Sequence, residues 1–158
     1  MNKKLLFVDD DPAVLQGLRR MLRVMADEWE MSFAESGQQA LQMMKKVPVD
    51  MVVSDMRMPG MDGAQLLKEV KNNFPGTIRI ILSGYVDETA IIRSSGSVHQ
   101  FLSKPCNFLK LKSTVDLAFS LQEDLINEDL IKLVTQIGSV PALPELYSEL
   151  IQELESPE

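Results

Sequence analysis

The chain has 158 residues, 45% of them apolar and 25% charged, the balance of a globular protein able to bury a core. Its net charge of −7 argues against a nucleic-acid-binding segment, because phosphate contacts need clustered Lys and Arg. A single cysteine, Cys106, excludes an internal disulfide, and the first apolar run is cut off by Asp9-Asp10-Asp11, far too early for export or for a membrane span. A soluble protein of the cytoplasm is expected.

Residues 5–8 form a continuous apolar run, the mark of a strand buried on both faces. Three aspartates follow, and Pro12 stands at a helix start, where its missing N–H costs nothing. Val14, Leu15, Leu18, Leu22 and Met25 then recur at helical spacing, with Arg19, Arg20 and Arg23 between them. Residues 30–34 read as a weaker strand, and Ser36 as the N-cap of a helix that carries Ala40, Leu41 and Met44 and ends at Pro48. Residues 51–54 are a short apolar strand that stops abruptly at a lone carboxylate, Asp55, ahead of a loop rich in Pro and Gly. Asp62 caps the next helix, whose buried stripe is Leu66, Leu67 and Val70 and whose end is Pro75-Gly76. Residues 77–82 predict a fourth strand ending at Ser83-Gly84. Asp87 opens a short helix that Gly96 closes, residues 98–103 predict a fifth strand before Lys104-Pro105, and from Asn107 the pattern is helical again.

Five strands alternating with five helices predict an α/β fold. The short connections favour a doubly wound five-stranded parallel sheet over a barrel, with flavodoxin-like strand order 2-1-3-4-5, helices on both faces and a C-terminal helical extension. The final helix is expected to run on beyond the domain. Ile126, Leu130, Leu133 and Ile137 are spaced four, three and four apart, a coiled-coil-like seam that makes residues 121–138 a linker or dimer contact. After Gly138, the stretch Pro141-Ala142-Leu143-Pro144 introduces one more apolar helix, too short to build a core of its own.

The chemistry is expected at the strand ends. The first strand ends in Asp9-Asp10-Asp11, the third in Asp55, the fourth in Ser83 and the fifth in Lys104. In a doubly wound sheet with the first and third strands adjacent, these ends converge on one crevice. Several acids in one crevice repel one another, and a hard divalent cation such as Mg2+ relieves the repulsion most simply. A hydroxyl and an ammonium beside them suit a phosphoryl group, the one by hydrogen bonding and the other by neutralising charge. The constellation points to phosphorylation of a carboxylate, with Asp55 as nucleophile.

In order and type these residues resemble the receiver domain of two-component response regulators. The resemblance covers residues 1–120 and rests on Val8-Asp9-Asp10-Asp11-Pro12, on Ser54-Asp55-Met56-Arg57-Met58-Pro59-Gly60-Met61-Asp62-Gly63, on Leu82-Ser83-Gly84-Tyr85 and on Phe101-Leu102-Ser103-Lys104-Pro105. It implies that Asp55 is the phosphoacceptor and that Asp9, Asp10, Asp55 and the backbone carbonyl of Arg57 bind Mg2+. It also implies that Ser83 and Lys104 contact the phosphoryl group, that Ser83 and Phe101 are switch residues, and that the Lys104-Pro105 bond is cis. The resemblance further implies that Gly84 leaves room for the phosphoryl group and that Arg57 and Tyr85 tune hydrolysis; Asp11, where the family often has Glu, reads as a solvated helix-start acid rather than a ligand. The implied partners are a histidine kinase or phosphotransfer protein, and a second copy in a homodimer. That dimer would use the face of the fourth helix, fifth strand and fifth helix, or the C-terminal helix. Residues 137–148 resemble the opening of an HDOD output domain, so residues 139–158 read as an N-terminal fragment of one. An HD-GYP phosphodiesterase output is the nearest competitor, disfavoured by the paired prolines.

Three other readings compete. A haloacid-dehalogenase-type phosphatase would use Asp9 as nucleophile, but no acidic pair follows Lys104 and the Asp55 loop would have no task. A flavodoxin would need hydroxyls and amides after the first strand, and a pseudo-receiver would mediate protein contacts alone. His99, the sole histidine, argues against a Ser-His-Asp triad or a His-rich zinc site and is expected at the surface. Cys106 reads as an incidental small residue, the ten methionines as core filler, and Trp29 as cover for the sheet edge near the second strand.

Overall fold

The apolar run after the first residues forms β1 (Lys3–Val8), and its last four residues are buried. The computed structural model describes residues 2–84, 91–92 and 94–124. In these, β1 is followed by α1 (Pro12–Met21), a 3₁₀ turn (Arg23–Met25), β2 (Trp29–Ala34), α2 (Gly37–Lys46) and β3 (Met51–Ser54). Then come α3 (Gly63–Asn73), β4 (Ile78–Ser83), β5 (Gln100–Ser103) and α4 (Phe108–Asp124). All neighbouring strands pair in parallel, in the order β2-β1-β3-β4-β5. This is the expected doubly wound sheet, and it places the reversal of strand order between β1 and β3, where such sheets open a crevice at their carboxyl ends.

Two apolar layers sandwich the sheet. Leu5, Phe7, Met51, Val53, Ile80 and Leu82 pack with Leu15 and Leu22 of the α1 region and with Leu111, Val115 and Phe119 of α4. Leu6, Val8, Val52 and Ile81 point the other way, onto Ala40 and Met44 of α2 and Leu66, Leu67 and Val70 of α3. The alternation of neighbours along each strand between two cores is what a sheet covered on both sides requires. Trp29, 3% exposed, belongs to the first core at the start of the edge strand, as expected.

Local signals place the helices. Asp11 caps α1, its carboxylate accepting from the Ala13 N–H at 2.9 Å, with Pro12 as first helical residue. Ser36 caps α2 through the Gln39 N–H, and Asp62 caps α3 in a reciprocal capping box with Gln65 at 2.8 and 2.9 Å. The helix expected from Ala13 to Met25 breaks after Met21, and the 3₁₀ turn carries Met25 into the core. A three-residue step from Leu22 to Met25 fits either helix type, so apolar spacing alone does not register the break.

The start of the helix expected at Asp87 lies outside the described residues, as do the seam beyond Asp124 and the HDOD-like stretch 139–158. Among the described residues no helix is long and apolar enough to cross a membrane.

Candidate functional site

Each site residue lies one step beyond, or at the end of, a strand whose hydrogen-bonding pattern continues through it. The Asp9 N–H donates to the Ala34 carbonyl at 3.1 Å, and the Asp55 N–H donates to the Val8 carbonyl at 2.8 Å. That second bond extends the β1–β3 pairing and stands Asp55 next to Asp9. The Lys104 N–H donates to the Ser83 carbonyl at 2.9 Å, extending β4–β5 in the same way. The sheet's register therefore fixes the backbones of all four groups before any side chain is considered.

The side chains then meet. Lys104 Nζ lies 2.6 Å from Asp9 Oδ2 and 3.5 Å from Asp55 Oδ1. Asp9 is buried, and its Oδ1 accepts from the Asp11 N–H at 2.9 Å. Asp10 is exposed, and one carboxylate oxygen each from Asp9, Asp10 and Asp55 lies within 4.8 Å of the others. Three hard oxygen donors at this separation fit a small divalent cation such as Mg2+. Asp11 is engaged at the helix start, as expected, and takes no part in the cluster.

Electrostatics separate the roles. Burial pushes the Asp55 carboxyl above the ordinary carboxylate range; the Lys104 charge opposes this, the Asp9 charge reinforces it, and a hydrogen bond from Ser83 opposes it. Burial alone would lower the Lys104 ammonium, but the hydrogen bond to Asp9 and the charges of Asp55 and Asp9 outweigh it, and its pKa is raised. Lys104 is thus a permanent cation between two acids. Ser83, 3% exposed, completes the group at the end of β4.

The loop after Asp55 is pinned by its methionines. Met56 and Met58 are buried in the second core, on either side of Arg57, whose side chain is exposed. Met61 packs over the first residue of α2, where a Cβ on Gly37 would stand 2.8 Å from its Sδ. Gly60 takes φ +76°, a conformation that side-chain-bearing residues rarely adopt. Phe101, three residues before Lys104, is half-buried on β5 against the second core. Gly84 is exposed with open space where a Cβ would stand, and the Lys104-Pro105 bond is cis. Tyr85 lies outside the described residues.

Sequence reasoning missed a polar cluster at the other end of β4. Arg79, 5% exposed, donates from Nε to the Ser97 carbonyl at 2.8 Å and from Nη1 to the Thr77 carbonyl at 3.0 Å. The expectation that His99 is a surface residue is corrected here: it is half-buried, and its Nδ1 accepts from the Arg79 N–H at 2.9 Å. The bond to Arg79 of β4 draws the ring partly out of solvent and gives it a structural role. An arginine inside an apolar strand was the available signal, since a buried cation has to be satisfied.

A response regulator receiver domain model matches residues 5–116. The chain belongs to this family. Among curated relatives of this receiver, the hydrogenase transcriptional regulatory protein HoxA of Cupriavidus necator is 33% identical over 156 residues, 96% of this chain and 31% of that protein. The transcriptional regulatory protein GlrR of Escherichia coli K12 is 37% identical over 113 residues, 71% of this chain and 25% of that protein. The receiver thus spans a third or less of the length of these relatives. Among solved structures, the signal receiver domain of an HD domain-containing protein from Pseudomonas fluorescens Pf-5 superposes with a TM-score of 0.74 at 30% identity, covering 79% of this chain and 100% of that one. The response regulator TrrA of Thermotoga maritima, in complex with Mg2+-BeF, gives 0.65 at 28% identity, covering 73% and 97%. Family membership sets aside the phosphatase and flavodoxin alternatives.

Proposed function

We propose that this receiver accepts a phosphoryl group on Asp55 from a histidine kinase or phosphotransfer protein in the cytoplasm, and acts as a switch rather than a turnover enzyme. The observation that carries the reading is the Lys104 ammonium held between Asp9 and Asp55, with Asp10 closing the oxygen cluster at the reversal of strand order. Bound Mg2+ would be held by Asp9, Asp10, Asp55 and the Arg57 carbonyl, and it supplies neutralisation of the charge developing on the transferred group. An Asp55 carboxylate oxygen attacks phosphorus as the bond from phosphorus to the donor imidazole nitrogen breaks. Lys104 neutralises one phosphoryl oxygen and the Ser83 hydroxyl donates to another. The new charge draws Ser83 toward Asp55, Phe101 turns into the space released, and the face around β5 and α4 changes.

That face or the chain beyond it would form a homodimer and control an output domain. The HDOD-like stretch 139–158, and the HD domain-containing protein that houses a similar receiver, support an HD-related output. Incubation with a small phosphodonor and Mg2+ should add one hydroxylamine-sensitive phosphoryl group, seen by mass spectrometry and lost in Asp55→Asn. Equal labelling of that variant would refute the assignment, and an unlabelled wild type would leave the pseudo-receiver reading in its place. Light scattering with and without beryllofluoride tests the dimer; a strict monomer in both states refutes it.

A further inference from the structure

Gly63, the first residue of α3, packs against the main chain of the proposed phosphoacceptor. A Cβ on Gly63 would stand 2.2 Å from the Asp55 carbonyl oxygen, 2.9 Å from Met56 Cα and 3.0 Å from the Asp55 carbonyl carbon. These are backbone atoms, so no side-chain rotation relieves the contact. Gly60 is the one described glycine with positive φ, so the demand at Gly63 is for space and not for an unusual conformation. The Gly63 N–H meanwhile donates to the Met56 carbonyl at 2.8 Å, drawing the two segments together.

Neither partner is free to retreat. Helix α3 is held by Leu66, Leu67 and Val70, all fully buried, and by the Asp62–Gln65 capping box. The Asp55 N–H is tied to Val8, and Met56 and Met58 sit in the core. We propose that Gly63 is a positioning residue for phosphoryl acceptance: its bare Cα lets α3 set the main chain of residues 55–57, and so the placing of the Asp55 carboxylate against Lys104 and of the metal-binding Arg57 carbonyl. The inference rests on the phosphoacceptor reading above. A methyl group at position 63 has to displace that main chain by roughly 1 Å to restore van der Waals distance, and a misplacement of about 1 Å costs on the order of a hundredfold in rate.

The test compares wild type, Gly63→Ala and Gly17→Ala, the last an exposed helix position where a Cβ meets nothing within 4 Å. Phosphorylation rates with a small phosphodonor are measured at saturating Mg2+ and corrected for folded fraction, and Mg2+ affinity is measured separately by calorimetry. Gly63→Ala should be labelled on the order of a hundredfold more slowly. Its Mg2+ affinity should fall by about tenfold, the scale seen when groups that orient metal ligands are lost. Gly17→Ala should match wild type in both. If Gly63→Ala is unfolded at 25 °C, both measurements are made in trimethylamine N-oxide, which favours the folded state. Wild-type rate and affinity in folded Gly63→Ala overturn the inference and leave the phosphoacceptor reading intact. An unlabelled wild type overturns both.

Discussion

Lys104 contacts two carboxylates at once, and the consequences differ for the acid and for the base. Burial raises the Asp55 pKa above 3.8, against the pull of Lys104, so the folded state holds that proton more tightly than the unfolded chain does. The favourable contribution is complete below about pH 3.8 and is lost as pH rises through the higher folded value. At neutral pH the ionised carboxylate therefore weakens the fold. Thermal melts in chelator should show Asp55→Asn more stable than wild type at pH 7, with the gain gone below about pH 3.8. A neutral-pH melt at or below wild type would contradict this. Lys104 has the opposite profile: its folded pKa lies above 10.5, so its contribution is present below about pH 10.5 and lost above the folded value. Lys104→Met should be less stable than wild type at pH 7, with the difference shrinking in strong alkali.

At the scale of elements, the helix starts are the features most open to direct measurement. Asp62→Ala removes the carboxylate that accepts from the Gln65 N–H, one half of the α3 capping box, and should cost about 1 kcal/mol in urea denaturation. Arg79→Met leaves the Ser97 and Thr77 carbonyls without the guanidinium and should cost about 2 kcal/mol or more. Because Arg79 lies at the far end of β4 from Ser83, phosphoryl uptake by the folded fraction should be unchanged. These two residues also mark how much of the molecule was legible. Asp62, Ser36 and Pro12 act on backbone groups within a few residues of themselves, so their roles can be read locally. Arg79 serves carbonyls that only folding gathers, and His99 serves an N–H twenty residues away. The strands were legible because burial on both faces demands unbroken apolar runs. The 3₁₀ turn at Arg23–Met25 was not, because its apolar step suits two helix types.

At the scale of the whole molecule, the site is a property of the complete sheet. Asp9, Asp55, Ser83 and Lys104 come from four strands, and neither the unfolded chain nor any single hairpin holds them together. A cation that binds only the assembled cluster should raise the melting temperature. The gain is about 2.7 kcal/mol at a hundred times its dissociation constant, and Asp10→Asn should reduce the Mg2+-dependent rise. The meeting of these groups was legible from residue type at strand ends. The closeness of α3 to the Asp55 main chain was not, because a glycine at a helix start has many commoner reasons to be there.

The way the chain leaves the fold carries a last consequence. Helix α4 runs against β4 and closes over the loop before it, where Gln122 Nε2 donates to the Gly76 carbonyl at 3.0 Å. Lys3, at the start of β1, lies on the same side, with its ammonium 4.9 Å from the Phe119 ring. Entrance and exit thus share one pole, and the reactive acids occupy the other. Along a six-residue strand that separation is about 20 Å. If Asp55 accepts a phosphoryl group as proposed, a signal read where α4 ends would have to cross the length of the sheet, as in a relay with opposite terminals.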